Sequence, residues 1–233
     1  MTQVSQIWRY PVKALAGEQL EAVEVNGRGL VGDRWFAIHT ADGRLACGKN
    51  GKRFSQHDEV FDFAARTDPE GAVCVTGRGG QWSPGQPELD VTLSEATGTP
   101  VQVRPEGLAP HHDAMPVSII GTASLAWCAR ELRADAIPQR LRVNLVVETE
   151  EPFVEETWLG GQICVGGVVL DVIRRNRRCR VIDLDQNGAG SPTRWLKPLG
   201  DKRDAMIAVY AEVATPGQIR VGDQLSLRPG VEQ

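Results

Sequence analysis

Residues 174–184 read RRNRRCRVIDL, placing Cys179 among Arg174, Arg175, Arg177, Arg178, Arg180 and Asn176. Positive charge stabilises a thiolate over a thiol, so this composition predicts a cysteine that ionises more easily than a free one. A buried, inert cysteine is the competing reading, but such a residue has no need of arginine neighbours. No residue in the stretch offers an obvious base for papain-like nucleophilic chemistry. A thiolate that ligates a soft metal, beside groups that hold an anion, accounts for both the sulfur and the charge.

Four further stretches carry groups able to do chemistry. In YPVKALAG (10–17), Lys13 follows a restrained Pro11 and could contact a phosphate or carboxylate as a compact charge, or simply be a solvated loop lysine. In GRGLVGDRWFAIH (27–39), Asp33 and Arg34 are adjacent, so on a strand they would face opposite sides and one would need a buried partner. That arginine could fork onto a phosphate, or the two could form an internal ion pair. In RLRVNLVVE (140–148), Arg142 and Asn144 have period-two spacing and would share one strand face, suited to an anionic, polar ligand or merely exposed. In EPFVEETWLGG, Glu155 and Glu156 precede Trp158 and read as exposed loop acids or as an acid/base pair.

Elements must position these groups, and the first hundred residues are mainly strand-like. SQIWRYPV, QLEAVEV, DRWFAIH, GRLACG, EVFDFAAR, GAVCVTG, LDVTL and VQVRP are short alternating or apolar runs divided by NGRG, ADGR, GRGGQ and PGQP turns. TASLAWCARELRA (122–134) has Leu125, Cys128 and Leu132 at helical spacing. RVNLVVE, QICV, VVLDVIRR, RVIDL, IAVYAEVA and QIRVGDQLSL return to strand, and TRWLKPLGDKR predicts a poorer helix interrupted at Pro198. The fold class expected is mainly β (α+β), in two units, 1–100 and 101–233, with the junction near residues 95–110.

Charge and composition narrow the function. The 233 residues carry 26 Lys+Arg against 30 Asp+Glu, a formal charge of -4, which disfavours nucleic acid as a partner and makes the arginine cluster a local exception. Five widely spaced cysteines predict reduced thiols. MTQVSQIWRYPVK has no basic segment leading into an apolar stretch, and no run approaches a membrane span, so a cytoplasmic protein without a membrane partner is expected. No GxGxxG leads from a strand into a helix and no GxxxxGK[ST] is present, which argues against a Rossmann or P-loop nucleotide enzyme.

Taken in order, these stretches resemble the MOSC family, the molybdenum-cofactor sulfurase C-terminal domain with its N-terminal β-barrel partner. YPVKALAG is similar to the family's YPVKS-x-x-G, GLVGDRWFAI to GL-x-x-DR, and HHDAMPVSIIGTASLAWCAREL to an Asp loop running into an ASL helix. RLRVN is similar to R-[FY]-RPN, EPFVEETW to PF-x-ED-x-W, and RRCRVIDLD to RC-x-x-x-x-x-D. The resemblance implies a MOSC β-barrel with an N-terminal β-barrel-like region and a site for Mo-molybdopterin. It further implies Cys179 as the metal ligand, Lys13, Arg34, Arg142, Asn144 and Arg178 as cofactor-binding residues, and Asp113 facing the metal, where it could assist proton delivery.

Ala14 replaces the usual serine, Val143 the usual proline and Glu156 the usual aspartate, while LACGKNGKRF replaces TQR-x-x-P but keeps Lys49, Lys52 and Arg53. By resemblance to the amidoxime-reducing branch, the expected activity is reduction of a small N-hydroxylated substrate. Electrons would come from a separate flavin or iron-sulfur protein. The alternative is a sulfur carrier or cofactor-handling protein with a persulfide on Cys179.

Overall fold

Side-chain alternation along strands decides where the core lies. In VSIIG (117–121) and LVV (145–147) every residue is buried, which requires cover on both faces of the sheet. The computed structural model describes residues 2–134, 136–189 and 194–228. It satisfies this requirement with an eight-stranded sheet ordered Leu225–Arg228, Gln162–Val165, Val168–Arg177, Met206–Thr215, Val117–Gly121, Leu145–Val147, Val4–Arg9 and Glu18–Leu20. Its one parallel pair is Val117–Gly121 with Leu145–Val147, joined through the helix Thr122–Leu132.

The period of two sorts the side chains. Ile7, Ile119, Leu145 and Val147 point to one face and pack with Val23, Val25, Leu30 and Ile219 of a small sheet (Gly217–Arg220, Ala22–Asn26, Gly29–Leu30). Trp8, Ile120 and Val146 point to the other, against Cys128, Leu132, Leu141 and Leu199 from three short helices and Trp195 just before the last of them. A third core, around Leu15, Ile38, Phe61, Phe63, Leu89 and Leu93, belongs to the first half of the chain. There a four-stranded and a three-stranded sheet pack with the helix Pro87–Thr97. The molecule is mainly β with four short α-helices among the described residues, the expected fold class.

Several local expectations are corrected. LDVTL is part of the helix Pro87–Thr97: Leu89 and Leu93 are buried one turn apart, while Val91 is 57% exposed. Leu89, Val91 and Leu93 fit period two as well as one helical turn, and Pro87 at the start with Gly98 in the left-handed conformation at the end resolves the ambiguity. EVFDFAAR divides into the 3-10 turn Asp58–Asp62 and the strand Ala64–Thr67, and RVIDL is the 3-10 turn Arg180–Asp183.

Pro198 does not interrupt its helix, Leu196–Arg203, because it lies in the first turn, where backbone N–H groups have no intrahelical acceptor. Glu155 is fully buried, and Glu156 is paired with Arg203 at 2.5 Å, so neither is an exposed loop acid.

Candidate functional site: a cationic cavity at Cys179

Lys13 reaches the site because the strand Val4–Arg9 stops at Pro11, after which residues 11–13 pair with Phe36 instead. Buried, its Nζ donates to the His111 carbonyl at 2.7 Å and to Asp113 Oδ1. Asp113 Oδ2 accepts from Lys49 Nζ at 2.6 Å, so one carboxylate bridges two lysines. Burial pushes the Asp113 pKa up, but the two lysines outweigh it and hold the carboxyl far below its ordinary range. Burial lowers the Lys13 pKa despite that partner.

Asp33 and Arg34 lie in a turn, not on a strand, and Arg34 has φ 53°, so they meet each other instead of facing apart. Asp33 Oδ1 accepts the Tyr10 backbone N–H at 2.8 Å, and Arg34 Nη2 donates to the Arg142 carbonyl at 3.1 Å. Burial raises the Asp33 pKa, yet Arg34 and His112 overcome it and leave it at about 2. The turn is held from outside by Arg28, which donates to the carbonyls of Asp33 and Arg34 and forks onto Glu106. Glu106 in turn accepts the His111 backbone N–H at 2.6 Å.

Arg142 is the left-handed cap (φ 55°) of the one-turn helix Pro138–Leu141, and the strand begins only at Leu145, so Arg142 and Asn144 do not share a strand face. Both the Arg142 and Arg34 guanidinium groups lie on the Tyr10 ring, 4.5 and 4.6 Å from its centroid. Arg142 Nη2 is buried with no hydrogen-bond partner. Burial, then the charge of Arg34, pushes the Arg142 pKa down to about 10.

Asn144 is committed to the scaffold: its Oδ1 accepts from Ser118 N and Oγ at 3.2 and 3.0 Å, and Nδ2 donates to the Trp8 carbonyl at 3.3 Å. One amide N–H remains for a ligand.

Cys179 is half-buried and follows the long strand Val168–Arg177, just before the 3-10 turn Arg180–Asp183. Its five arginines are not equivalent. Arg178 faces the cavity with Nε buried and unpaired, its Nη2 donating to the Leu141 carbonyl. Arg180 turns away to fork onto Asp58 at 2.6 and 2.7 Å and to donate to the Gly48 carbonyl. Arg174, Arg175 and Arg177 line an outer cleft that adjoins the cavity and shares Lys49, Asp113, Asn176, Arg178 and Cys179 with it.

Lys13, Arg34, Arg142, Asn144, Arg178, Asp113 and Cys179 thus line one cavity, together with Lys49, Cys47, His112 and Asn176. Five cationic side chains face one carboxylate there, and Asp33 behind Arg34 neutralises a second. About three positive charges stay uncompensated, which suits a multiply charged anion beside a thiol.

Cys47, Tyr10 and the Arg28–Glu106 clamp were not legible as site residues. Tyr10 and the clamp offered only the neighbouring YPVK and GDR motifs as a signal. Asn176 could have been suspected from its place within the arginine run.

Among solved structures, the YUAD protein from Bacillus subtilis aligns over 98% of this chain and 97% of its own, at 13% identity and a TM-score of 0.49. YiiM from Geobacillus stearothermophilus aligns over 49% of this chain and 54% of its own, at 14% identity and a TM-score of 0.38. A molybdenum cofactor sulfurase from Danio rerio is 32% identical over 73 residues, a stretch that covers 31% of this chain and 8% of that protein. Residues 1–105 match the MOSC N-terminal beta barrel domain and residues 108–226 the MOSC domain. The chain therefore belongs to the MOSC family.

Proposed function

We propose that this cavity holds a molybdenum cofactor and that the protein reduces small N-hydroxylated compounds with electrons from a separate flavin or iron-sulfur protein. The observation that carries the reading is the Arg142 guanidinium, buried beside Arg34 with Nη2 unpaired, in a cavity that also presents the Cys179 thiol. Unpaired buried cations disfavour folding unless the site is made for an anion. The residues fit the group: Arg34, Arg142 and Arg178 would hold the phosphate and pterin, Asn144 would add one N–H, and Cys179 would ligate the metal.

When bound, the cofactor supplies a metal that changes oxidation state while removing the substrate's oxygen. The chain's own part is to bind, orient and deliver protons. Asp113, ionised throughout the working pH range, anchors Lys13 and Lys49. Of these three groups, Lys13 Nζ, whose pKa burial lowers, is the one suited to hand over a proton.

A second reading, a persulfide carrier or cofactor-handling protein, draws on the position of Cys179. It lines the outer cleft as well as the inner cavity, within reach of a sulfur donor. Metal and pterin analysis of the protein from a cofactor-competent host, wild type beside Cys179→Ala, separates the two. About one molybdenum per chain in the wild type and little in the variant supports the reductase. No metal in either removes it, and persulfide labelling of Cys179 then tests the carrier.

A further inference from the structure

The strand Val168–Arg177 breaks its register three times, and two of the breaks, between Val172 and Arg174 and between Arg175 and Arg177, fall within its arginine run. Regular alternation would send Arg174 and Arg175 to opposite faces of the sheet. A bulge re-aims side chains, and here Arg174, Arg175, Asn176, Arg177 and Arg178 all line one cleft of about 520 Å³ next to Cys179. Its charge is lopsided: Lys49 and these four arginines face Asp113 alone, which Lys13 and Lys49 already engage.

The outer arginines are weakly occupied. Arg174 lies 5.8 Å from the Tyr210 ring centroid, and Arg175 is 3.8 Å from a Glu156 carboxylate that Arg203 already holds. Arg177 makes no side-chain hydrogen bond or ion pair with the described residues. Asn176, only 2% exposed, has its Oδ1 unpaired, and the same amide turned over presents two N–H donors.

We propose that this cleft is a phosphate-binding subsite, and that substrates entering the site beside Cys179 carry a phosphate monoester remote from the reacting group; the substrate half rests on the reductase reading. A cleft of this volume and concavity suits a small molecule better than a protein surface. Planar guanidinium forks match phosphate oxygens in pairs. Tyr210 and Met206 supply an apolar wall for a flat ring between the two ends.

The test is calorimetric titration of the full chain, purified from a cofactor-competent host, with phenyl phosphate and with phenol. The proteins compared are wild type, the combined Arg174→Gln, Arg175→Gln and Arg177→Gln variant, and Arg142→Met, with thermal melts to establish folding and Arg177→Gln alone as a milder change. Phenyl phosphate should bind the wild type well above phenol and weaken as KCl is raised. The triple change should reduce its affinity on the order of 30-fold or more, the scale of at least one charge-assisted hydrogen bond. Arg177→Gln should give a smaller loss in the same direction, and molybdenum content should be unchanged in the triple variant.

Undiminished binding by the triple variant, or loss only in Arg142→Met, overturns the subsite. A fall in molybdenum content overturns it too, since the cleft would then belong to the cofactor. For a benzamidoxime bearing a ring phosphate, KM should fall below that of the parent with kcat unaltered. If no amidoxime is reduced, the reductase reading fails, while the titration still decides the subsite.

Discussion

At the scale of single residues, Arg34 and Arg142 sit on the same aromatic ring but differ in what neutralises them. Arg34 is paired with the buried Asp33, whereas Arg142 has no carboxylate partner among the described contacts and one Nη buried and unpaired. Removing a partner from a buried pair leaves an orphan charge, so Arg34→Met should cost about 3 kcal/mol of stability. Arg142→Met removes an uncompensated charge instead. It should stabilise the protein by about 1 kcal/mol in denaturant melts while abolishing anion binding in the inner cavity.

Asp33 also sets an acid limit. Its pKa falls from an ordinary 3.8 to about 2 in the fold. A carboxyl depressed in this way contributes stability that is complete above the ordinary value and is lost as pH falls through the folded one. Asp33's share of the unfolding free energy should therefore drop by about 2 kcal/mol between pH 4 and 2, and Asp33→Asn should make the acid slope shallower by that amount while leaving the part due to Asp113 and Glu106.

At the scale of elements, the position of Cys179 depends on the turn that follows it. Asp183, within that turn, accepts the backbone N–H groups of Trp195 and Leu196 at 2.8 and 2.9 Å through one Oδ1. It caps the helix Leu196–Arg203, whose own preceding residue, Trp195, contributes no side-chain cap. Asp183→Ala should lower stability by about 1 kcal/mol, as loss of an N-terminal cap does, measurable as a shift in denaturant midpoint.

Gly48 supports the same turn from the other side. A Cβ there would lie 2.6 Å from Leu184 Cδ1 and 3.0 Å from Val181 Cγ2. Gly48→Ala should therefore displace residues 181–184 and weaken anion binding at Cys179 more than a substitution such as Gly43→Ala, where strain at φ 80° is the only cost. The readout is relative affinity at matched degrees of folding.

At the scale of the whole molecule, the two halves of the chain share sheets. Val4–Arg9 pairs with Leu145–Val147, and Ala22–Asn26 pairs with Gly217–Arg220. Cutting the chain between them would leave the edge of Leu145–Val147 bare and strip Val23, Val25 and Leu30 from the central core. Fragments 1–105 and 108–233 expressed separately should each fail to give a cooperative melt, and the intact chain should unfold in a single transition by calorimetry. The site follows the same logic, since Lys13 and Arg34 come from the first half and Arg142, Arg178 and Cys179 from the second.

The residue types, their order and the alternation of apolar side chains determined much by themselves. Strands such as Val4–Arg9, Gln162–Val165 and Met206–Thr215, the helix Thr122–Leu132 and the chemistry-bearing motifs all follow from local pattern, because periodicity acts over a few residues. LDVTL failed because so short a run satisfies two periods. The turns that carry Arg34 and Arg142 failed because a left-handed conformation at a non-glycine residue is imposed by its surroundings, not by its side chain.

Only the tertiary structure decided which charges meet. Asp113 lies 100 residues from Lys13 and 64 from Lys49, yet it bridges them. Arg180, adjacent in sequence to Cys179, is spent on Asp58 across 122 residues. Electrostatics depends on separation in space, and the fold sets that separation independently of distance along the chain.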